Sequence, residues 1–349
     1  MWTVESQGGV LDLHKTQDGH FLTLGSTNQN GTDFYYVDKY DQNGNKLWRN
    51  LFAESGSGTK FDLATDSLGN VYVMAIYQAN VFVQRSTFLY KIEADGQTSQ
   101  IFGQIARPES GNHSGKLIVD SQDRLLFITS LYTGGASISG GVREFSRDIV
   151  IRAFDSSGNL LEAKNFPEFA DQGFVWDVVQ DEDDNLYVLG DHFVATFNAD
   201  HNLVKSIPLD SSMTGRFLTR DSEGNIYVAA TKYAASYDLF LLKLTSQESP
   251  KVLVDFTTKD SYLPVGIGID ANNNVYLAGY ISIASFTNRD TFLFKYNSSG
   301  KQIWQYSTKL DDVKDYAYRL LVQPSGELIF AYGRQNADGT GSSYISMLK

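Results

Sequence analysis

Seven segments of this 349-residue chain align on a polar turn, and one column of that alignment carries charge. The column reads Asp12, Asp62, Lys116, Asp177, Phe217, Gly266 and Arg319. Three carboxylates and two cations brought to one place can do two kinds of chemistry. Asp12, Asp62 and Asp177 could hold a divalent cation, Ca²⁺ foremost, or a pair of them could divide the roles of acid and base. Alternatively, Lys116 and Arg319 neutralise the acids, because buried charges require partners. The result is then a polar ring that binds a small ligand, or only a solvated, self-balanced opening. No cofactor follows from the residues, and the metal question stays open on the three aspartates.

Other catalytic patterns fail. There is no Gly-x-Ser-x-Gly elbow, no His-Glu-x-x-His and no Gly-x-x-x-x-Gly-Lys-Ser/Thr loop. The five histidines, His14, His20, His113, His192 and His201, form no ligand spacing. Asp181-Glu182-Asp183-Asp184 and Asp270 to Asn274 have the composition of calcium loops but lack the EF-hand order, and turn formation is their expected role. The chain has no cysteine, which excludes disulfides, thiolate zinc sites and cysteine nucleophiles. A net charge of −12 with no basic run argues against nucleic acid and anionic membrane surfaces. No apolar run approaches the roughly 20 residues of a membrane-spanning helix.

The elements that must position the column repeat. An apolar strand, a turn of the type Asp-x-x-Gly-Asn and a Val-Tyr-Val-like strand occur as FDLATDSLGNVYVMAIY from Phe61 and RFLTRDSEGNIYVAATKY from Arg216. Looser copies bring the total to seven, at a spacing of roughly 50 residues, in the range of propellers and solenoids. Each hairpin is followed by a second, as in DTFLFKYNSSGKQIWQYS from Asp290, whose last strand is more polar, as a sheet edge should be. Four antiparallel strands, a to d from the inside outward, then stack as wedges. The expected fold is all-β: a seven-bladed β-propeller in a single domain, with blades near 10–52, 60–103, 115–166, 175–208, 215–256, 264–307 and 317–349. The last unit lacks a strand d, and residues 1–6 match one, so the N-terminal strand is expected to close the ring. A short helical turn is conceivable only at Leu310 to Tyr316.

In such a ring Leu13, Leu63, Leu117, Val178, Leu218, Ile267 and Leu320 should face between blades. The residue before each should face the central channel. The charged column would then gather near one channel mouth. Beneath it would lie an apolar plug of His14, Ala64, Ile118, Val179, Thr219, Gly268 and Leu321. Loops between strands b and c and between d and a would set specificity. They carry Tyr77, Tyr132 and Tyr280, besides Tyr233 and Tyr316, and a lid-like Gly/Ser insertion runs from Tyr132 to Arg147. These tyrosines suit sugar or peptide stacking, or simply fill gaps between blades.

The motif Asp-x-Phe-Leu-x-Lys-Tyr…Ser-Gly-x-x-x-Trp, carried by Asp290, Phe292, Lys295, Gly300 and Trp304 and again by Asp33, Phe34, Lys39, Gly44 and Trp48, resembles the bacterial SBBP repeat of seven-bladed propellers. The resemblance covers nearly the whole chain, loosely in blades 3, 4 and 7. It implies a secreted or cell-surface protein, ahead of a cytoplasmic one, whose leader would already be removed, and it supplies no catalytic residues. The leading expectation is therefore a non-enzymatic binding or scaffold module. It would be a monomer or part of a larger protein, recognising a glycan, protein or small ligand through Asp12, Asp62, Lys116, Asp177, Arg319, Tyr77, Tyr132 and Tyr280. The alternative is a metal-assisted hydrolase or lyase at the channel mouth using its acidic residues.

Overall fold

Five of the seven inner hairpins are organised by one aspartate; Thr16 and Gln323 stand in its place in blades 1 and 7. In blade 2, Asp66 accepts from the amides of Leu68 (3.1 Å) and Asn70 (2.8 Å), from the Asn70 amide group (2.8 Å) and from the Tyr72 hydroxyl (3.1 Å). Gly69 follows in the left-handed region at φ +82°, the conformation that closes this type of turn. Asp181, Asp221 and Asp270 are satisfied in the same way by Asn185, Asn225 and Asn274 and by Tyr187, Tyr227 and Tyr276. The acidic stretches at 181–184 and 270–274 are thus turns, as their residue types lead one to expect.

In the computed structural model the described residues are 1–6, 8–54, 58–78, 85–97, 99–106, 115–132, 137–139, 142–144, 147–169, 174–245, 249–283, 288–308, 314–335 and 341–349. They form seven four-stranded antiparallel sheets and one two-stranded hairpin. The innermost strands are Gly9–Lys15, Gly58–Thr65, Gly115–Val119, Asp177–Gln180, Thr214–Arg220, Ser261–Ile269 and Lys314–Val322. Each touches the next in order and the last touches the first, so the ring is closed. The extra hairpin, Ser137–Ser139 with Val142–Glu144, lies in the expected lid-like insertion. The helical turn among the described residues is Pro167–Phe169. In the place where one was expected, the chain from Lys314 is already strand, because it supplies the inner strand of blade 7; residues 309–313 lie outside the described residues. No helix among the described residues is long and apolar enough to cross a membrane.

Seven apolar clusters account for the core among the described residues, one per interface between neighbouring blades. Leu13, Leu63, Leu117, Val178, Leu218 and Leu320 are all buried in them, and Ile267 packs half-buried against its own. The aliphatic column therefore faces between blades.

The ring is closed by its ends. Trp2–Ser6 pairs with the third strand of blade 7, with Trp2 opposite Met347 and Val4 opposite Ile345. Trp2 and Val4 pack against the cluster of Phe21, Ile329 and Ile345 that joins blades 7 and 1. The Trp2 ring also covers the c–d turn of blade 1, where a Cβ on Gly44 would sit 2.7 Å from it. Residues 1–6 thus serve both as a strand and as the wedge between two blades. Deleting residues 1–7 should lower stability by roughly 3 kcal/mol or more, from the apolar surface exposed, and leave an open sheet edge. An unchanged thermal melt would show that the terminal pairing contributes nothing.

Candidate functional site

Turning an aliphatic side chain into the blade interface turns its neighbour into the channel, and the charged column is the outcome. Lys116 lies 3.0 Å from Asp62 and 3.5 Å from Asp177, so one ammonium bridges two carboxylates from the blades on either side. The second oxygens of both aspartates accept amides from the next inner strand, Leu117 (2.6 Å) to Asp62 and Leu218 (3.0 Å) to Asp177. Asp12 receives Arg319 at 2.9 Å and its own neighbour's amide, Leu13, at 3.0 Å. All five expected ring residues are brought together, in two ion-paired groups.

Burial controls their protonation. It raises the Asp62 carboxyl, to about 6; Lys116 pulls it back and Asp12 pushes it further up. Asp177 is raised for the same first reason, against Lys116 and two backbone amides. For Lys116, burial alone would favour the neutral amine, but Asp62, Asp177 and Asp12 outweigh it and hold the ammonium. His14, one turn of the strand below Asp12, is lowered to about 4, chiefly by burial, and so carries a neutral imidazole, which contacts Thr65 at 3.2 Å.

Two cavities meet this ring. One, of about 670 Å³, opens toward the b–c loops and is lined by Phe61, Lys116, Trp176, Arg216, Phe217, Tyr237, Tyr280 and Arg319 among others. The other, of about 460 Å³, opens toward the a–b turns and is lined by Asp12, His14, Asp62, Thr65, Lys116 and their neighbours. Three expectations need correction. The charged ring lies at the channel's waist, with Lys116 facing both cavities, and not at a mouth. The second ring is no plug: Ala64, Thr219 and Gly268 are too small to fill the axis, and His14, Ala64, Ile118 and Val179 line open space. The three aspartates do not converge as metal ligands, and among the described residues no cluster of three His, Asp or Glu could hold an ion. The reason is geometric: each carboxylate is turned to a cation and a backbone amide of the ring itself.

The rim tyrosines divide. Tyr280 lines the larger cavity, with the Arg289 guanidinium 4.8 Å over its ring. The side chains of Tyr77 and Tyr132 lie outside the described residues. Two cavity residues escaped the alternation rule, Leu11 and Arg216, each the unopposed residue of a bulge. Arg216 is the extra residue of a β-bulge: Gly215 pairs with Ala230 and Phe217 with Ala229, leaving Arg216 unopposed and free to be re-aimed. It stacks over Trp176 at 4.4 Å and donates to Thr231 at 3.0 Å. A signal existed, since Arg216 opens a repeat copy where Phe61 and Trp176 open two others.

No protein-family model matches the chain, and no curated protein sequence matches it. The solved structures it resembles include a streptogramin B lyase, at TM-score 0.58 and 11% identity over 99% of this chain and 98% of the other. A virginiamycin B lyase from Staphylococcus aureus matches at TM-score 0.52 and 12% identity, over 84% of each chain. A protein of unknown function from Bacteroides caccae matches at TM-score 0.46 and 14% identity, over 83% of this chain and 94% of the other. At these identities the likeness is one of fold: a seven-bladed propeller of matching length. It still corrects the expectation of a non-enzymatic scaffold and the ranking of catalysis behind binding. Of the similar structures named above, the two with TM-scores above 0.5 are lyases by name, so the architecture gives no ground for preferring a scaffold.

The ring makes two predictions. Lys116→Met leaves two buried carboxylates without their cation and should cost roughly 3–5 kcal/mol in urea unfolding; a loss near zero would mean that water already neutralises them. The second concerns pH. Unfolded Asp titrates at 3.8 and Asp62 in the fold at about 6, so between these values the folded chain holds a proton the unfolded chain has released. Its contribution to stability falls as pH rises through that window. His14 acts oppositely: unfolded it is protonated below 6.5, folded only below about 4, so its contribution rises with pH. His14→Gln should therefore lose stability relative to the wild type as pH is raised from 4 to 6.5, and Asp62→Asn should gain it. Parallel stability curves for wild type and variants would refute the linkage.

Proposed function

We propose that the chain is an enzyme of the lyase kind, acting on a small molecule in the larger cavity with its reacting bond at the channel waist. One observation carries this reading: the buried Asp62 carboxyl, raised to about 6, lies at the waist 3.0 Å from Lys116, whose ammonium also lines the larger cavity. Elimination and hydrolysis both expel a leaving group that gathers negative charge and takes a proton, here from Asp62; the proton released from carbon, or from the water consumed in hydrolysis, then returns to the Asp62 carboxylate, so the step balances. Lys116 and Arg319 provide preorganised positive charge where that develops, and Asp62 is the group whose proton is available in the working pH range. The cavity's 670 Å³ falls within the size of small-molecule sites, so a small molecule takes the place of the glycan or protein ligand in this reading. The names of the two similar enzymes favour elimination over hydrolysis. A secreted or cell-surface setting, as the SBBP-like repeat implies, belongs to the same proposal.

The test is a panel of small esters, lactones and carbonyl compounds with a β leaving group, followed by mass spectrometry. A lyase gives product masses that sum to that of the substrate, and a hydrolase adds water. For a converted compound, Asp62→Asn should cost roughly 10²-fold or more in kcat and abolish the fall in rate as pH rises past about 6. Binding of panel members without any conversion, or full activity in Asp62→Asn, would overturn the reading.

A further inference from the structure

The cations that line the larger cavity are not equivalent. Lys116 and Arg319 are ion-paired within the ring. Arg216 is not: its Nε donates to Thr231, its face lies on Trp176, and among the described residues no carboxylate oxygen comes within 4.0 Å of it. Asp191, whose charge acts on it, accepts from the indole N–H of Trp176 and fixes that ring under the guanidinium. Burial draws the Arg216 pKa down, with Asp191 opposing, so the charge sits in a poorly solvated place. Arg289 repeats the arrangement nearby. It lies over Tyr280 at 4.8 Å and Tyr316 at 5.3 Å, and its buried Nε has no hydrogen-bond partner among the described residues.

A guanidinium held flat on an aromatic face keeps its edge free, and that edge is a donor fork matched to a carboxylate. A buried charge without a partner in the protein is costly, so a partner from outside is favoured. The walls beside Arg216 are the rings of Trp176, Phe217, Tyr237 and Tyr280, which suit a flat, apolar body. We infer that the cavity binds a carboxylate carrying an aromatic or similarly planar group, with Arg216 as the residue that anchors the carboxylate. This rests on the reading that a small molecule occupies the cavity, and it names the class of that molecule.

Calorimetric titration of the full chain with phenylacetate, phenylacetamide and phenyl phosphate tests it. The acid should bind roughly 10- to 100-fold more tightly than the amide, the size of a charge-assisted hydrogen-bonded pair. Arg216→Met should erase that difference. Arg216→Lys, which keeps the charge but loses the fork, should retain part of it, and thermal melts identify any variant that fails to fold. The acid-to-amide comparison needs no variant. Equal binding of acid and amide, no binding of phenylacetate at millimolar concentration, tighter binding of the phosphate, or wild-type affinity in a folded Arg216→Lys would each overturn the inference. Phenylacetate binding with no turnover of any compound bearing a β leaving group, carboxylates included, would sink the lyase reading and leave this one standing; turnover of an uncharged compound with no carboxylate binding would do the reverse.

Discussion

A β-strand offers its side chains to two faces in turn, and in this ring one face of every inner strand is claimed by the joint between blades. Leu117 cannot seal the joint of blades 2 and 3 without Lys116 entering the channel, and Leu63 cannot seal the joint of blades 1 and 2 without Asp62 doing so. The charged waist is thus bound to the core by geometry. A one-residue slip would bury the charges between sheets and expose the aliphatic column. The amide bonds from Leu117 to Asp62 and from Leu218 to Asp177 tie the same carboxylates to the next blade, so the waist and the joints hold a common register.

A stack of wedges is stable only if it closes, since each sheet buries its faces against its neighbours. Closure comes from Trp2–Ser6 completing blade 7, and it reproduces what the continuous blades do. Trp2 lies on the c–d turn of blade 1 as Trp48 lies on that of blade 2, at Gly44 and Gly96. The turns on the opposite rim are linked in the same neighbour-to-neighbour way. Where the left-handed turn position holds Asp123 or Asp184 instead of glycine, that side chain accepts from Ser67 or Ser121 of the preceding blade, which offsets the strain of the conformation.

The waist balances its own charge with one bridging lysine and one arginine, so its acids face cations rather than solvent. That balance moves the chemistry. Carboxylates that looked suited to a metal are held as ion-pair partners, and Asp62, deep and crowded, keeps its proton up to a pH of about 6. Above it the cavity keeps an arginine with no direct ion-pair partner among the described residues. One part of the channel is electrostatically complete and the part above it is not, and this asymmetry is what gives the channel a direction for a ligand.

Much of this could be read from the residues. The Asp-x-x-Gly-Asn turns, the aliphatic column and the strand-like residues at both ends specify seven closed blades, because each is a local rule repeated often enough to average out its failures. That the acids of the column would be balanced by its bases followed from the column alone; which acid takes which base did not. What only the folded chain decided depends on depth and on departures from alternation. Whether the ring lay at a mouth or the waist was set by how far the inner strands continue on either side of it, which no column of residue types reports. The turning of the aspartates away from a metal was set by amides from the neighbouring inner strands. Arg216 stayed hidden because a bulge, one unpaired residue in the ladder, breaks the two-residue period on which the sequence reading relied.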